Sequence, residues 1–195
     1  MRADAARNRA ALLTAAEAAF AEHGPDASVA DIARRAGIGK GTVFRHFPTK
    51  EDLLAAVVLD RVTTLTALAL HLAGRPDAGP ALEDFLAEAA GRQQQLDLSF
   101  LRGATGVNDR LAEARGALFD AIIALVRRAQ DAGAVRGDVS GTDVILMMCA
   151  PHYVTTYVPD PAPDLWRRYL GIILDGLRPE GARPLTGITR LTRGI

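Results

Sequence analysis

Apolar residues recur along the chain at the three- and four-residue spacing of amphipathic helices. The first run places five of them on one helical face: Leu12, Leu13, Ala16, Ala19 and Phe20. Gly24 and Pro25 follow this run, so the pattern predicts a helix over about residues 4–23. β-branched residues rarely alternate with polar ones, which argues against strands. The expected fold class is therefore all-α.

Three helix starts are marked by a Ser or Thr followed three residues later by Asp, the spacing of a capping box. These starts, at residues 28–31, 49–52 and 140–143, predict a short helix ending near Ala36, a long helix reaching about residue 74, and an apolar helix after residue 140. Periodicity predicts further helices near residues 81–95, 115–132 and 163–177, and a less regular element around 100–111. From Pro179 onward prolines and glycines interrupt the pattern, so a loosely ordered tail is expected there.

The stretch AGIGKGTVFRHF, residues 36–47, places three glycines before aromatic and basic residues. A phosphate-binding P-loop would need a glycine at position 34 and a serine or threonine at position 41. The chain has Arg34 and Gly41 there, so the motif does not fit. A dinucleotide-binding loop would need a third glycine at Thr42 and a preceding strand, where a helix is predicted. The stretch is therefore not expected to bind a nucleotide.

A helix-turn-helix accounts for the same residues. Ala33 is small enough to let two helices cross closely, beside the apolar Ile32. Gly37 falls at the sharp turn, and Ile38 and Val43 supply the apolar side of the second helix. The groups left for a DNA groove are the side chains of Lys40, Thr42, Arg45 and His46, with Gly41 allowing close backbone approach.

The stretch SVADIARRAGIGKGTVFRHFPTKEDLL, residues 28–54, resembles the DNA-binding domain of the TetR family of transcriptional regulators. The resemblance covers roughly residues 7–62. RRAQDAGAVRGDVSGTDV, residues 127–144, resembles the carboxy-terminal domain of a subset of these regulators. The resemblance implies a three-helix DNA-binding head in residues 1–50, a helical effector-binding and dimerisation domain in residues 51–178, and the tail in residues 179–195.

The positions that match the family motif, together with the helix cap, give a predicted DNA-binding set: Ser28, Lys40, Gly41, Thr42, Phe44, Arg45, His46 and Lys50. Phe44 stands where the family often has tyrosine, so a hydroxyl contact to phosphate is absent there. Arg45 could read a guanine edge or hold a phosphate, and His46 could donate to phosphate or fill space beside Phe47. Phe44 and Phe47 are expected to lie at least partly in the core. Lys50 opens a helix whose amino end should point toward a phosphate.

One such head offers little surface for contact with DNA, so two heads on two half-sites are expected. Two heads require a homodimer. The family resemblance implies an interface made by the last two helices, with the apolar residues Ile145, Leu146, Cys149, Tyr153, Leu165, Tyr169, Ile172 and Ile173. The alternative is that these residues only complete the core of one chain.

A second apolar set could line an effector pocket or be packed solid: Phe85, Phe100, Leu101, Phe119, Ile122, Met147 and Met148. The family resemblance favours a pocket for a small, mostly apolar effector. Effector and operator would then bind preferentially to different conformations, and the expected outcome is a repressor released from DNA by the effector. The alternative is a helical adaptor or architectural protein that uses the same head without ligand control.

The distribution of charged residues shows where the positive charge of the chain lies. The 195 residues carry a formal net charge of zero, but the first fifty contain eight Lys or Arg against five Asp or Glu. HExxH, GxSxG and CxxC motifs are absent and the histidines are scattered, so neither an enzyme nor a metal or cofactor is expected. The lone cysteine cannot form an internal disulfide, and the short apolar stretch at residues 144–150 cannot span a membrane. The expected location is the cytoplasm.

Overall fold

The computed structural model describes residues 2–95 and 109–186, and regular secondary structure in these ranges is entirely helical. The helices are α1 (Arg2–His23), α2 (Val29–Arg35), α3 (Lys40–His46), α4 (Lys50–Ala73), α5 (Ala78–Gln95), α6 (Asp109–Asp131), α7 (Gly141–Met147), α8 (Ala150–Thr155) and α9 (Leu165–Leu177), with a 3-10 turn at Gly24–Asp26. The all-α prediction is confirmed.

The described residues form two compact units. The first contains residues 2–63 with 95 and 109–114, and the second contains residues 64–94 and 115–186. The predicted boundary at residue 50 differs from this division. The first turns of α4 belong to the first unit because Leu53, Leu54 and Val57 are buried in its core.

The first unit is built around the apolar face of α1. Each residue of the predicted stripe is buried, from Leu12 to Phe20. Neighbouring helices add Ile32 and Ala33 from α2, Val43 from α3, and the first turns of α4. Phe47, which follows α3, is buried in the same cluster. The short α2 and α3 are therefore held by tertiary burial, since helices of their length are not stable alone.

The second unit has its own apolar core. The central residues are Leu82, Phe85 and Leu86 of α5, Ile122, Leu125 and Val126 of α6, Val144 of α7, and Trp166, Leu170 and Leu177 of α9. Among the described residues of this unit and of the first, no charged or polar residue is fully buried. The core is thus formed by helix faces with the predicted spacing.

Two predicted capping boxes are present. At the start of α4, the Thr49 amide donates to Asp52 Oδ2 at 3.1 Å and the Asp52 amide donates to Thr49 Oγ1 at 3.0 Å. Before α7, Ser140 and Asp143 make the same pair of bonds, at 2.8 and 3.1 Å. Each box satisfies amides that the first turn of a helix leaves without a helical partner.

The third predicted box, before α2, is only half formed. Ser28 Oγ accepts from the Ala30 amide at 3.2 Å, but the Asp31 carboxylate accepts from Arg34 and Arg35 instead. Arg35 also donates two hydrogen bonds to Glu22 of α1, at 2.7 and 2.6 Å. These pairs lower the pKa of the Glu22 and Asp31 carboxyls and raise the pKa of Arg35. The network ties α1 to α2.

The helix predicted after residue 140 is divided into α7 and α8. Pro151 stands in the first turn of α8 and has no amide proton to continue the hydrogen bonds of α7. The tail also differs from expectation as far as it is described. The Leu185 amide donates to Asp138 Oδ2 at 2.9 Å, and Arg136 donates to the Arg183 carbonyl. Residues 183–185 are therefore hydrogen-bonded to the loop before α7.

Of the described helices, α4 is long and apolar enough to cross a membrane by length and composition alone. Its first turns are covered by the core of the first unit through Leu53, Leu54 and Val57. A core helix of a soluble protein passes the same test, so this feature does not indicate a membrane protein.

Gly141, at the start of α7, closely approaches α6. Gly141→Ala is expected to lower the free energy of unfolding by about 1–3 kcal/mol, as overpacking does in a filled core. The new Cβ would lie 2.6 Å from Ile123 Cγ1 and 2.9 Å from Ile123 Cα. Urea unfolding followed by circular dichroism measures the change.

The control is Gly116→Ala in α6, where a Cβ meets nothing within 4 Å. It should stabilise by roughly 0.5–1 kcal/mol, because alanine favours helix. Equal effects would contradict the close approach.

Candidate DNA-binding site

The turn between α2 and α3 is closed by backbone hydrogen bonds. The Ile38 amide donates to the Ala33 carbonyl at 3.0 Å, and the Gly37 amide donates to the Arg34 carbonyl at 3.2 Å. This is the Schellman arrangement, in which the residue after the helix cap adopts a left-handed conformation. Gly37 has φ of +67°, so the predicted need for glycine at this turn is confirmed.

The recognition helix α3 is anchored by one face. Val43 is 1% exposed and lies in the same core as Ile32 of α2. Because a helix makes one turn every 3.6 residues, burial of Val43 directs Gly41 and Arg45, two positions away on either side, to the opposite face. The predicted DNA-contacting residues of α3 make up its outer side: Lys40, Gly41, Phe44, Arg45 and His46 are exposed, and Thr42 is half-buried.

Contacts along this outer face order two of the cations. Arg45 Nη2 donates to Thr42 Oγ1 at 2.8 Å, one turn earlier on the helix. Lys40 Nζ lies 5.8 Å from the centroid of the Phe44 ring, within the range of a cation–π contact. Phe44 is 40% exposed, so it is not the partly buried core residue that the sequence predicts. Its ring supports a lysine on the surface instead.

The remaining members of the predicted set surround α3. Phe47 is buried, and the exposed His46 ring lies with its centroid 6.4 Å from that of Phe47. The side chain of Ser28 caps α2 through the Ala30 amide. Lys50 is the first residue of α4, directly after the Thr49 cap, and is half-buried. The structure thus brings the whole set onto the first unit, and the DNA contacts themselves remain predictions.

The predicted interface residues lie at the surface of the second unit. Leu146, Tyr153 and Ile172 are 44, 60 and 57% exposed. The others are half-buried: Ile145, Cys149, Leu165, Tyr169 and Ile173. Sequence reasoning missed Tyr157, which is 69% exposed and whose hydroxyl donates to the Tyr153 hydroxyl at 2.8 Å. Tyr157 lies in the turn after α8, and its spacing of four residues from Tyr153 was the available signal.

The predicted pocket residues are distributed differently. Phe85, Ile122 and Met148 are buried within the core of the second unit, whereas Phe119 and Met147 are half-buried. Phe100 and Leu101 lie outside the described residues. A cavity of about 20 Å³, lined by residues that include Leu82, Val135, Leu174 and Leu177, contains none of the predicted set. It has room for about one water molecule. The effector pocket therefore remains a prediction.

The turn, the buried anchor and the outward cations define a helix-turn-helix DNA-binding protein. Residues 12–57 match the family model for bacterial regulatory proteins of the tetR family, and residues 77–179 match the SbtR-like transcriptional regulator C-terminal domain. Together these matches cover most of the chain. The chain belongs to the TetR family of transcriptional regulators.

Relatives with solved structures share the fold along nearly the whole chain. A TetR transcription regulatory protein from Mycobacterium vanbaalenii is 35% identical with a TM-score of 0.70, and the match covers 91% of this chain and 98% of that one. The regulator LfrR from Mycobacterium smegmatis, solved in complex with proflavine, has a TM-score of 0.70 over 93% of this chain and 99% of its own. At 21% identity, LfrR shows the fold alone.

Curated relatives match over shorter stretches. An HTH-type transcriptional repressor of Mycobacterium tuberculosis is 52% identical over 63 residues, which are 32% of this chain and 33% of the relative. The repressor LfrR is 40% identical over 95 residues, 47% of this chain and 46% of its own. The matches thus span a third to less than half of these relatives. Both matched family models describe transcriptional regulators.

The turn glycine positions α3, and its replacement should be costly. Gly37→Ala is expected to lower the free energy of unfolding of the first unit by about 1–2 kcal/mol, because a Cβ is disfavoured in the left-handed region. A Cβ at this position meets nothing within 4 Å, so backbone strain alone is being tested. Gly41→Ala in α3 is the control, since its Cβ also meets nothing and its φ is not positive. Hydrogen exchange of the α2 and α3 amides measures both, and a harmless Gly37→Ala would contradict the structure.

Proposed function

We propose that this chain is a homodimeric repressor that binds operator DNA through α3 and is released by a small, mostly apolar effector in the cytoplasm. The observation that carries the proposal is the outer face of α3, where Lys40, Arg45 and His46 are exposed above a buried Val43. A short helix held by a single apolar anchor can be laid in the major groove without losing its own packing.

The contacts on α3 suggest which groups read bases and which hold phosphates. Arg45 donates one Nη2 hydrogen to Thr42, and the other Nη2 hydrogen can act together with Nη1 or Nε as two parallel donors to a guanine. Lys40, ordered over Phe44, is a point charge better suited to phosphate. The amino ends of α2 and α4, near Ser28 and Lys50, supply amides for further phosphates.

The DNA-binding proposal is tested by salt titration of gel shifts on a duplex selected from a randomised pool. Arg45→Ala is expected to weaken binding to the selected duplex by about 1–3 kcal/mol per head, and to weaken binding to a scrambled duplex less, if Arg45 reads a guanine. Equal losses on the two duplexes would assign Arg45 to phosphate. Arg127→Ala, on the exposed side of α6, is the control that should bind normally. A wild-type protein whose affinity does not change with salt would contradict DNA binding.

Two observations support dimerisation through the second unit. The predicted interface residues are not buried in the single chain, and Leu146, Tyr153 and Ile172 expose large apolar surface. Exposed apolar side chains gathered on neighbouring elements mark an interaction surface. Helices α8 and α9 pack against each other, so one surface can be formed from both. A symmetric pairing of two such surfaces gives a four-helix bundle and joins two heads in one dimer.

The dimer is tested by a charge placed on this surface. Ile172→Glu is expected to convert the protein to a monomer in light scattering after size exclusion, because carboxylates would be buried on both sides of a two-fold contact. The matched control is Leu70→Glu on α4, a similarly exposed apolar residue outside the predicted interface, which should leave the dimer intact. A dimeric Ile172→Glu variant would place the interface elsewhere.

The effector proposal rests on the family and on the second unit. LfrR was solved in complex with proflavine, and this chain has the same fold. For this chain we propose a mostly apolar effector bound among the predicted pocket residues, of which Phe119 and Met147 are only half-buried. An effector that prefers the conformation unable to bind operator lowers operator affinity by the ratio of its two affinities.

A further inference from the structure

Arg9 is one of the cations of the first unit that lie outside the predicted DNA-binding set. Arg9 of α1 places its guanidinium carbon 5.9 Å from the centroid of the Phe47 ring. The Arg9 side chain is exposed, whereas Phe47 is 8% exposed. The guanidinium therefore covers the outer side of a ring whose body lies in the core. The two residues are 38 positions apart in the chain.

The position of Phe47 connects Arg9 to the DNA-binding side of the unit. Phe47 caps the carboxyl end of α3, directly after His46 and three residues before Lys50. The His46 ring lies 6.4 Å from the Phe47 ring, centroid to centroid, so His46 and Arg9 flank the same aromatic ring. Arg9 is thus placed at the junction of α3 and α4, where two predicted DNA contacts already lie.

Two arginines of α2 differ from Arg9 because carboxylates bind them. Arg34 pairs with Asp31, and Arg35 pairs with both Asp31 and Glu22. The charge of Arg35 connects α1 with α2, whereas Arg34 pairs within α2. The contact made by Arg9 is with a neutral ring, which leaves its charge and its planar set of N–H donors unneutralised by that partner. An exposed cation–π contact is a weak source of stability.

We propose that Arg9 is a further phosphate contact of the DNA-binding surface, with Phe47 as the platform that holds its guanidinium in place. The cation–π contact restricts where the guanidinium can lie and uses none of its N–H donors, so these can donate to phosphate oxygens. Because the contact is to the backbone of DNA, Arg9 adds affinity without reading sequence. This inference rests on the proposed DNA-binding function.

The test compares Arg9→Gln with wild type as full-length dimers, on the selected duplex and on a scrambled duplex of the same length. Loss of one phosphate contact per head should reduce the slope of log affinity against log salt by about 1.8 for the dimer. Between 50 and 200 mM salt, wild type should therefore lose about tenfold more affinity than the variant. The loss should be similar on both duplexes, so that their affinity ratio is unchanged. Arg127→Gln on α6 is the matched control and should keep the wild-type slope.

Two further variants separate a phosphate contact from a packing role. Arg9→Lys keeps the charge and should keep the wild-type slope while losing affinity at every salt concentration. Arg9→Met keeps an aliphatic stem against Phe47 and replaces Arg9→Gln if that variant does not fold. A neutral variant that is folded and keeps the wild-type slope would overturn the inference, whatever its melting temperature. If wild type itself shows no salt-dependent binding, it is the proposed function that fails.

Discussion

The DNA-binding surface depends on the burial of Val43 beneath α3. A helix of seven residues has no independent stability in water, so its position must come from tertiary packing. Burying one such side chain contributes about 1.5–3 kcal/mol, and Ile32 of α2 and Phe47 add to the same core. With Val43 directed inward, the helical period turns Gly41 and Arg45 to the opposite side, and Lys40, Phe44 and His46 are exposed as well. Presentation of donors to DNA is therefore a consequence of core packing.

Features with a local cause could be predicted from the sequence. The boxes at Thr49 and Ser140 involve residues three positions apart, so the chain carries the complete signal for α4 and α7 within one helical turn. The same is true of Gly37, because the left-handed turn is a property of one residue and its neighbours. The buried stripe of α1 follows from period alone. In these cases one stretch of sequence determines the structure, and distant residues do not change it.

Features with a distant cause could not be predicted. Asp31 has the right spacing for a capping box, but Arg34 and Arg35 compete for its carboxylate, and Arg35 is itself held by Glu22 from another helix. An arginine–carboxylate pair carries charge on both partners, whereas a capping amide is a neutral donor. The placement of Arg9 over Phe47 depends likewise on the packing of α1 against the end of α3. Sequence reasoning found the helices but not these side-chain partners.

The ion pairs also change which positive charges of the head are available to DNA. A count of basic residues through Lys50 treats Arg34 and Arg35 as available to DNA, yet both are bound by carboxylates in the α1–α2 network. The cations of α3 have no such role, since Lys40 rests on Phe44 and Arg45 on a neutral hydroxyl. The head therefore uses arginine in two ways. Arg34 and Arg35 are paired with carboxylates, which connect α1 to α2 through Arg35, whereas arginines on neutral supports keep their charge for phosphate. Because a neutral support orders a guanidinium without cancelling its field, the same reasoning that assigns Arg45 to DNA also applies to Arg9.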